Sequence, residues 1–200
     1  MKSYEKLELF GTLYEANDTV LIRSCIKDIN FSHESFTTVG MHAMSLVMRR
    51  CSQLESVRLQ NCDLNAELVH ILKSNLKGSS LKLNKLDVRY NKNLGTDGFG
   101  ELGLVVTQCQ VKTFDAGNCN LTAEGIKAFK ENTGNVKIKC LILSGNQVSR
   151  LGDEGLSTIS EIVHQCQVES LWMVACYFNP DQLERFKASI ADTGVIFRGN

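Results

Sequence analysis

The chain has 200 residues, 43% of them hydrophobic, and its 22 Lys and Arg residues balance 22 Asp and Glu residues. A formal charge of zero argues against a nucleic-acid-binding protein, because such proteins usually carry a basic excess. No run of about 18 apolar residues is present, so no segment is expected to span a bilayer. Residues 1–18 also lack the continuous apolar core of a secretory signal.

The predicted elements begin with an amphipathic helix at about residues 4–16, which we expect to cap the array that follows. From about residue 22 to 194, the sequence predicts short strands with alternating apolar residues. Each strand is followed by a segment whose apolar residues have the spacing of an α-helix. The central apolar position of these strands recurs at steps of 28, 29, 28, 27 and 30 residues, at Ile29, Val57, Leu86, Phe114, Leu141 and Leu171. Residues 195–199 are predicted to form a last strand that closes the array.

The eight cysteines follow the same period. Cys62, Cys119 and Cys176 are 57 residues apart, and Asn91 and Asn146 occupy the equivalent position in the repeats between them. Because no C-x-x-C pair occurs, the cysteines are not predicted to bind zinc. We expect them to be buried and unreactive, and we expect the asparagines to bond the loop backbone of neighbouring repeats.

A repeat of this length, L-x-x-L-x-L-x-x-(Cys/Asn)-x-L, resembles the leucine-rich repeats of the ribonuclease-inhibitor class. The same class forms the C-terminal arrays of cytosolic nucleotide-binding leucine-rich-repeat (NOD-like) receptors. The resemblance covers about residues 20–200. It implies an α/β leucine-rich-repeat solenoid of about six repeats, curved, with parallel strands on the concave face and helices on the convex face. We expect residues 1–200 to form a single domain of this kind.

The sequence motifs that could indicate catalysis or cofactor binding lack the structural context that those functions require. Residues 98–103 read G-x-G-x-x-G, but a dinucleotide site needs a doubly wound sheet around that motif. The four histidines lie on different repeats, and residues that far apart in a solenoid cannot converge on one metal. We therefore predict no enzymatic activity, no cofactor and no metal.

A partner protein is expected to bind the concave face, where the outward-facing strand residues form columns. The first four repeats present charged residues, among them Arg58, Asp87, Arg89 and Asp115, and Arg58 is placed to reach Asp87 on the next strand. The last two repeats present an apolar cluster of Ile142, Trp172 and Val174, which has the composition of an interface hot spot. The alternative is that this cluster is covered by the C-terminal cap or by another part of a longer chain.

The function predicted from these features is non-enzymatic protein–protein recognition in the cytoplasm, without nucleic acid and with an open oligomeric state. The repeat length favours a sensing array related to innate-immune receptors. Two alternatives stay open: a substrate-recruiting subunit of a ubiquitin ligase, suggested by the string RRCSQLESVRLQNC, and an enzyme inhibitor of the ribonuclease-inhibitor type. The inhibitor would need a larger horseshoe and a more acidic concave face to match a basic enzyme.

Overall fold

A computed structural model of the protein describes Thr12 and residues 26–200. Apart from Thr12, the capping helix predicted at 4–16 lies outside the described residues. Seven strands are described: β1 Asp28–Asn30, β2 Ser56–Arg58, β3 Lys85–Asp87, β4 Thr113–Asp115, β5 Cys140–Ile142, β6 Ser170–Met173 and β7 Ile196–Gly199. Between them lie the helices α1 Thr38–Arg50, α2 Ala66–Leu76, α3 Gly95–Gln108, α4 Ala123–Asn132, α5 Val148–Gln165 and α6 Pro180–Ser189, and a short 3₁₀ helix, Ala191–Thr193.

The strands form one parallel sheet in the order of the sequence, β1 to β7. Neighbouring strands pair in the register that the sequence repeat predicts, with Ile29 beside Val57 and Leu141 beside Leu171. The prediction of an α/β leucine-rich-repeat solenoid is therefore confirmed, with six strand–helix units followed by β7. β7 lies within the range predicted for the closing strand.

A continuous apolar core separates the sheet from the helices. The central residue of each of the first six strands is at most 2% exposed, and the helices add one apolar face each. Phe114 of β4 stacks on Phe129 of α4 with the ring centroids 5.2 Å apart. Burying a side chain of this size contributes about 1.5–3 kcal/mol, and no strand–helix unit could bury its apolar face alone.

Two buried asparagines join adjacent repeats. The side-chain oxygen of Asn91 accepts from the backbone N–H groups of Cys62 and Leu64 at 2.9 and 3.0 Å, and its amide nitrogen donates to the carbonyl oxygens of Leu59 and Val88. Asn146 makes the equivalent four bonds one double repeat later.

Cysteine occupies the same position in the alternate repeats and is a weaker donor. The thiol of Cys62 donates to the Phe31 carbonyl and the thiol of Cys119 to the Val88 carbonyl.

The expected bonding of the asparagines is confirmed. Each asparagine side chain bonds backbone groups in the loop of the preceding repeat and in the loop of its own repeat.

The helix boundaries follow from local chemistry. The side chains of Thr37, Asn65 and Thr122 accept the first free N–H groups of α1, α2 and α4. Before α6, Asn179 forms a capping box with Gln182 and Pro180 occupies the first turn. α5 breaks at Gly152, whose φ of 58° favours glycine.

The G-x-G-x-x-G motif lies inside α3 and serves packing. A Cβ atom at Gly103 would lie 2.5 Å from the carbonyl oxygen of Phe129 on α4. The motif is thus buried in a helix–helix contact, where a phosphate could not approach the backbone. None of the helices among residues 26–200 combines the length and the apolar character needed to cross a bilayer.

Candidate protein-binding surface

The open face of the sheet, on the side opposite the helices, is lined by strand residues whose side chains do not enter the core. Its central column runs along the observed register through Asn30, Arg58, Asp87, Asp115, Ile142, Trp172 and Arg198. These residues share one column because parallel pairing places equivalent positions side by side about 4.8 Å apart. In a leucine-rich-repeat solenoid this is the concave face.

Two of the predicted surface residues, Asp87 and Asp115, are buried. Their side chains are 0% and 6% exposed because Arg89 lies across them. Nη2 of Arg89 donates to Oδ2 of Asp87 at 2.9 Å, and Nε of Arg89 is 3.8 Å from Oδ2 of Asp115. Nζ of Lys85 approaches Asp87 at 3.5 Å, so the partners of Asp87 are Lys85 and Arg89 and not the predicted Arg58.

The exposure that strand alternation predicts for Asp87 and Asp115 is therefore not observed. The physical reason is that alternation along a strand tells which side a residue faces, but not whether a long neighbouring side chain covers it. Each carboxylate also accepts a hydrogen bond from the backbone N–H two residues further along the chain. The backbone N–H of Arg89 donates to Asp87, and the backbone N–H of Gly117 donates to Asp115 at 3.1 Å.

The buried position affects the charge of Asp115. Desolvation by burial, and then the nearby carboxylate of Asp87, raise the pKa of Asp115 above its ordinary value, against the opposing effects of the Gly117 N–H and Arg89. Arg89 is therefore part of a neutralised cluster as well as part of the surface.

The charge that remains accessible on the open face is positive. Arg58 is exposed, and the side chains of Lys85 and Arg89 are 33% and 39% exposed. Arg198 extends the column on β7 and is also exposed. Asp28 on β1 is the exposed carboxylate in the strands that the structure describes. A negatively charged partner surface would complement this pattern.

The apolar part of the open face lies on β5 and β6. Ile142 is half-buried, Val174 is 42% exposed, and Trp172 lies beside Ile142 in the sheet. Trp172 is half-buried because the guanidinium of Arg198 lies 4.7 Å from the centre of its ring. Its indole N–H donates to the hydroxyl of Ser170 at 2.8 Å. The closing strand therefore covers Trp172 in part, and the cluster is an aromatic–cation pair flanked by aliphatic side chains.

Sequence reasoning did not identify Arg198, although a signal was available. The repeat predicts outward-facing residues up to Trp172, and one further repeat step reaches Arg198 on the closing strand. Tyr177 is a second exposed residue that the sequence analysis does not single out. It lies in the loop after β6, 75% exposed, where the repeat pattern places no apolar requirement.

Six of the seven thiols among residues 26–200 are buried as expected, and Cys140 is half-buried. Cys109 and Cys119 are buried, and desolvation raises the pKa of each to about 12. Since the thiolate is the reactive form, these cysteines are unreactive at neutral pH. No cluster of three metal-ligating side chains occurs among residues 26–200.

A groove of about 790 Å³ opens on the helical side between α5 and α6. The ionisable side chains that border it are paired: Lys130 with Glu161, Asp153 with Arg185, and His164 with Asp192. The backbone carbonyl of Ser160, followed by Asp192, raises the pKa of His164 above its ordinary value, which favours its paired, protonated form.

Comparison with known proteins identifies relatives of one kind. The chain is 30% identical to a ribonuclease inhibitor of Mus musculus over 86% of the chain and 38% of that protein. It is 32% identical to a ribonuclease inhibitor of Sus scrofa over 76% of the chain and 33% of that protein. The chain therefore spans between a third and two fifths of the length of these relatives. No family model matches the sequence.

The similarity agrees with the strand register, the asparagine bonds and the strand–helix alternation described above. This chain is an α/β leucine-rich-repeat solenoid, and over the matched residues it is similar to the ribonuclease inhibitors.

Proposed function

We propose that the chain is a non-enzymatic recognition module that binds another protein through the open face of its sheet. The observation that carries the proposal is the composition of that face. It combines exposed arginines with a half-buried Trp172 and the apolar side chains of Ile142 and Val174, and no helix of the described chain covers it. Arginine and tryptophan are enriched among the residues that dominate binding energy at protein interfaces.

The partner is expected to present carboxylates and an apolar side chain. Arg58 and Arg198 project positive charge, whereas the charge of Arg89 is paired with the buried Asp87 and Asp115. A carboxylate of the partner could pair with Arg58, to which no acidic side chain is bonded in the described structure. An apolar side chain of the partner could pack beside Trp172 and Val174.

The experiment compares proteins captured by the wild-type chain with those captured by three variants. Arg58→Glu reverses a charge on the open face, Trp172→Ala removes the aromatic ring, and Val39→Ala changes an apolar residue of α1 that is 77% exposed on the opposite side. We expect a partner that is lost with Arg58→Glu or Trp172→Ala and retained with Val39→Ala. If every captured protein is retained by all three variants, recognition does not use the open face.

A second candidate function is inhibition of a ribonuclease, which the names of the two relatives favour. The charge of the open face speaks against it. An RNA-cleaving enzyme binds a polyanion and needs positive charge at its substrate site, so exposed arginines on both partners would repel. We expect that equimolar chain leaves the rate of RNA cleavage by a ribonuclease unchanged, and inhibition would establish this candidate instead.

Three further hypotheses concern the pathway and the cellular location of the protein. A sensing array related to innate-immune receptors is supported by the repeat length, and a substrate-recruiting subunit of a ubiquitin ligase by the cysteine-containing repeat near residue 51. Cytoplasmic location is supported by the seven cysteines among residues 26–200, which are all free thiols. Under oxidising conditions such a set of thiols would be exposed to mispairing whenever the chain unfolds.

A further inference from the structure

Two groups of lysines in the described chain differ in their partners. Lys73, Lys127 and Lys130 lie on helices, and each pairs with a glutamate of the following helix. The other group lies where helices lead into strands, and all of its members are exposed: Lys77, Lys82, Lys112, Lys137 and Lys139. Within residues 26–200, none of these five lysines forms an ion pair with a carboxylate. Positive charge is therefore left unneutralised along this edge of the solenoid.

Three of these lysines border one depression. Lys112 and Lys139 directly precede β4 and β5, and the N–H of Cys140 donates to the carbonyl oxygen of Lys112 at 3.1 Å. Ile138 is fully buried, so Lys137 and Lys139 flank it on the outside of the chain. Together with Gln110 and Asn135, the three lysines line a depression of about 560 Å³, which we call the lysine pocket.

Acidic residues balance the lysines of the pocket only in part: Glu169 holds the position before β6 that is equivalent to that of Lys139 before β5. Like charges at equivalent positions of neighbouring strands are destabilising, and Lys112 and Lys139 are such a pair. The carboxylate at the border of the lysine pocket is Glu169, one acid against three lysines. Nζ of Lys112 donates to the side-chain oxygen of Asn84 at 2.9 Å, and the amide nitrogen of Asn84 donates in turn to the carboxylate of Glu55 at 3.1 Å. The direct partner of Lys112 is thus neutral, and the nearest carboxylate in this network is one hydrogen bond further away. A bound anion would supply the missing counter-charge.

We propose that the lysine pocket binds a phosphoryl group, carried either by a small soluble ligand or by a lipid headgroup. A phosphate monoester carries a charge of about −1.5 to −2 at neutral pH, which matches the net charge of the lining better than a single carboxylate. Lysine binds phosphate as a compact point charge, and Gln110 and Asn135 offer amide donors for the remaining oxygens. This site lies at the loop edge, so it does not depend on protein recognition by the open face.

The test uses inorganic pyrophosphate as the soluble probe and calorimetric titration at low salt. Lys112→Gln combined with Lys139→Gln removes two charges from the pocket, and Lys92→Gln combined with Lys187→Gln removes two charges from exposed positions elsewhere. We expect the pocket variant to raise the Kd for pyrophosphate by at least about tenfold, and the control variant to leave it within about twofold. Far-ultraviolet circular dichroism checks that both variants fold.

Vesicles distinguish the two sources of the phosphoryl group. Binding to vesicles that contain a phosphoinositide, without measurable binding of pyrophosphate, would assign the pocket to a lipid headgroup, provided that the pocket variant abolishes it. Equal weakening by both double variants would show that binding follows overall charge, and would overturn the proposal. So would a wild-type chain that binds neither pyrophosphate nor phosphoinositide vesicles.

Discussion

Asp115 is a buried carboxylate that faces a second one, Asp87, across the β3–β4 pair. Burial and the charge of Asp87 raise its folded-state pKa above the unfolded value of about 3.8. The contribution of Asp115 to stability is therefore fully present below that value and is lost as the pH rises through the folded-state pKa. At neutral pH the ionised carboxylate costs stability, although Gly117 and Arg89 offset part of the cost.

Replacing Asp115 with asparagine tests this balance. In Asp115→Asn the amide oxygen can still accept from the Gly117 N–H, and the buried charge is removed. We expect the free energy of unfolding at neutral pH to rise by on the order of 1 kcal/mol. The gain should decrease as the pH falls and should vanish below the unfolded pKa of about 3.8, where the carboxyl is protonated in both states. Urea unfolding at both pH values measures it.

The matched variant is Asp87→Asn, which should have the opposite effect. Asp87 is bonded to Arg89 at 2.9 Å, with Lys85 nearby, so its removal leaves cations without their partner. A loss of about 1–3 kcal/mol is expected at neutral pH. An Asp115→Asn chain that is less stable than wild type at neutral pH would show that the attraction between Asp115 and Arg89 outweighs the cost of burial.

At the scale of the element, the contact between α3 and α4 depends on one glycine more than on its neighbour. A Cβ at Gly103 would meet the Phe129 carbonyl oxygen at 2.5 Å, whereas the nearest atom to a Cβ at Gly100 is the side-chain nitrogen of Asn132 at 3.4 Å. The first contact is with backbone of the neighbouring helix, which cannot rotate away. The second is with the end of a side chain, which can.

The two alanine variants should therefore differ in sign. Gly103→Ala is expected to lower the free energy of unfolding by about 1–3 kcal/mol through overpacking. Gly100→Ala should be neutral or stabilising by up to about 1 kcal/mol, because alanine favours the helix interior. Thermal unfolding of both variants gives the comparison, and equal effects would mean that α3 moves freely relative to α4.

The elements themselves were predictable, and the surroundings of their side chains were not. The 27–30-residue step placed Leu86 beside Phe114, and the alternation of Cys62, Asn91 and Cys119 implied that the asparagine would bond loop backbone. The same alternation placed Asp115 on the open face but could not show that Arg89 covers it. Burial there depends on the direction of one long side chain, which the repeat period does not contain.

The lysine pocket could not be predicted either, because it too depends on side chains that the repeat pattern does not constrain. The lysines of the strings CQVK and VKIK precede the strands, in loops where the repeat constrains only the inward residues, Val111 and Ile138. That the three ammonium groups lack acidic partners is a property of neighbouring repeats, visible only once the register of β4 and β5 is fixed.

At the scale of the whole molecule, stability is linked to alkaline pH by the six buried thiols that lie among residues 26–200. Desolvation raises the pKa to about 11 for four of them, Cys51, Cys62, Cys166 and Cys176, and to about 12 for Cys109 and Cys119. In the unfolded chain each thiol has an ordinary value of about 9.0. The folded state therefore keeps these protons over a range in which the unfolded state releases them.

The free energy of unfolding should consequently fall as the pH rises above about 9, by up to about 1.4 kcal/mol per pH unit for each thiol. Cys119→Ser isolates one thiol, because a hydroxyl can still donate to the Val88 carbonyl but does not titrate in this range. We expect its unfolding free energy to fall less steeply than that of wild type between about pH 9 and 11, whatever its stability at neutral pH. Denaturant unfolding at closely spaced pH values measures both slopes. Identical slopes would mean that Cys119 ionises as readily in the folded chain as in the unfolded one, and that burial of Cys119 between the repeats does not suppress its thiolate.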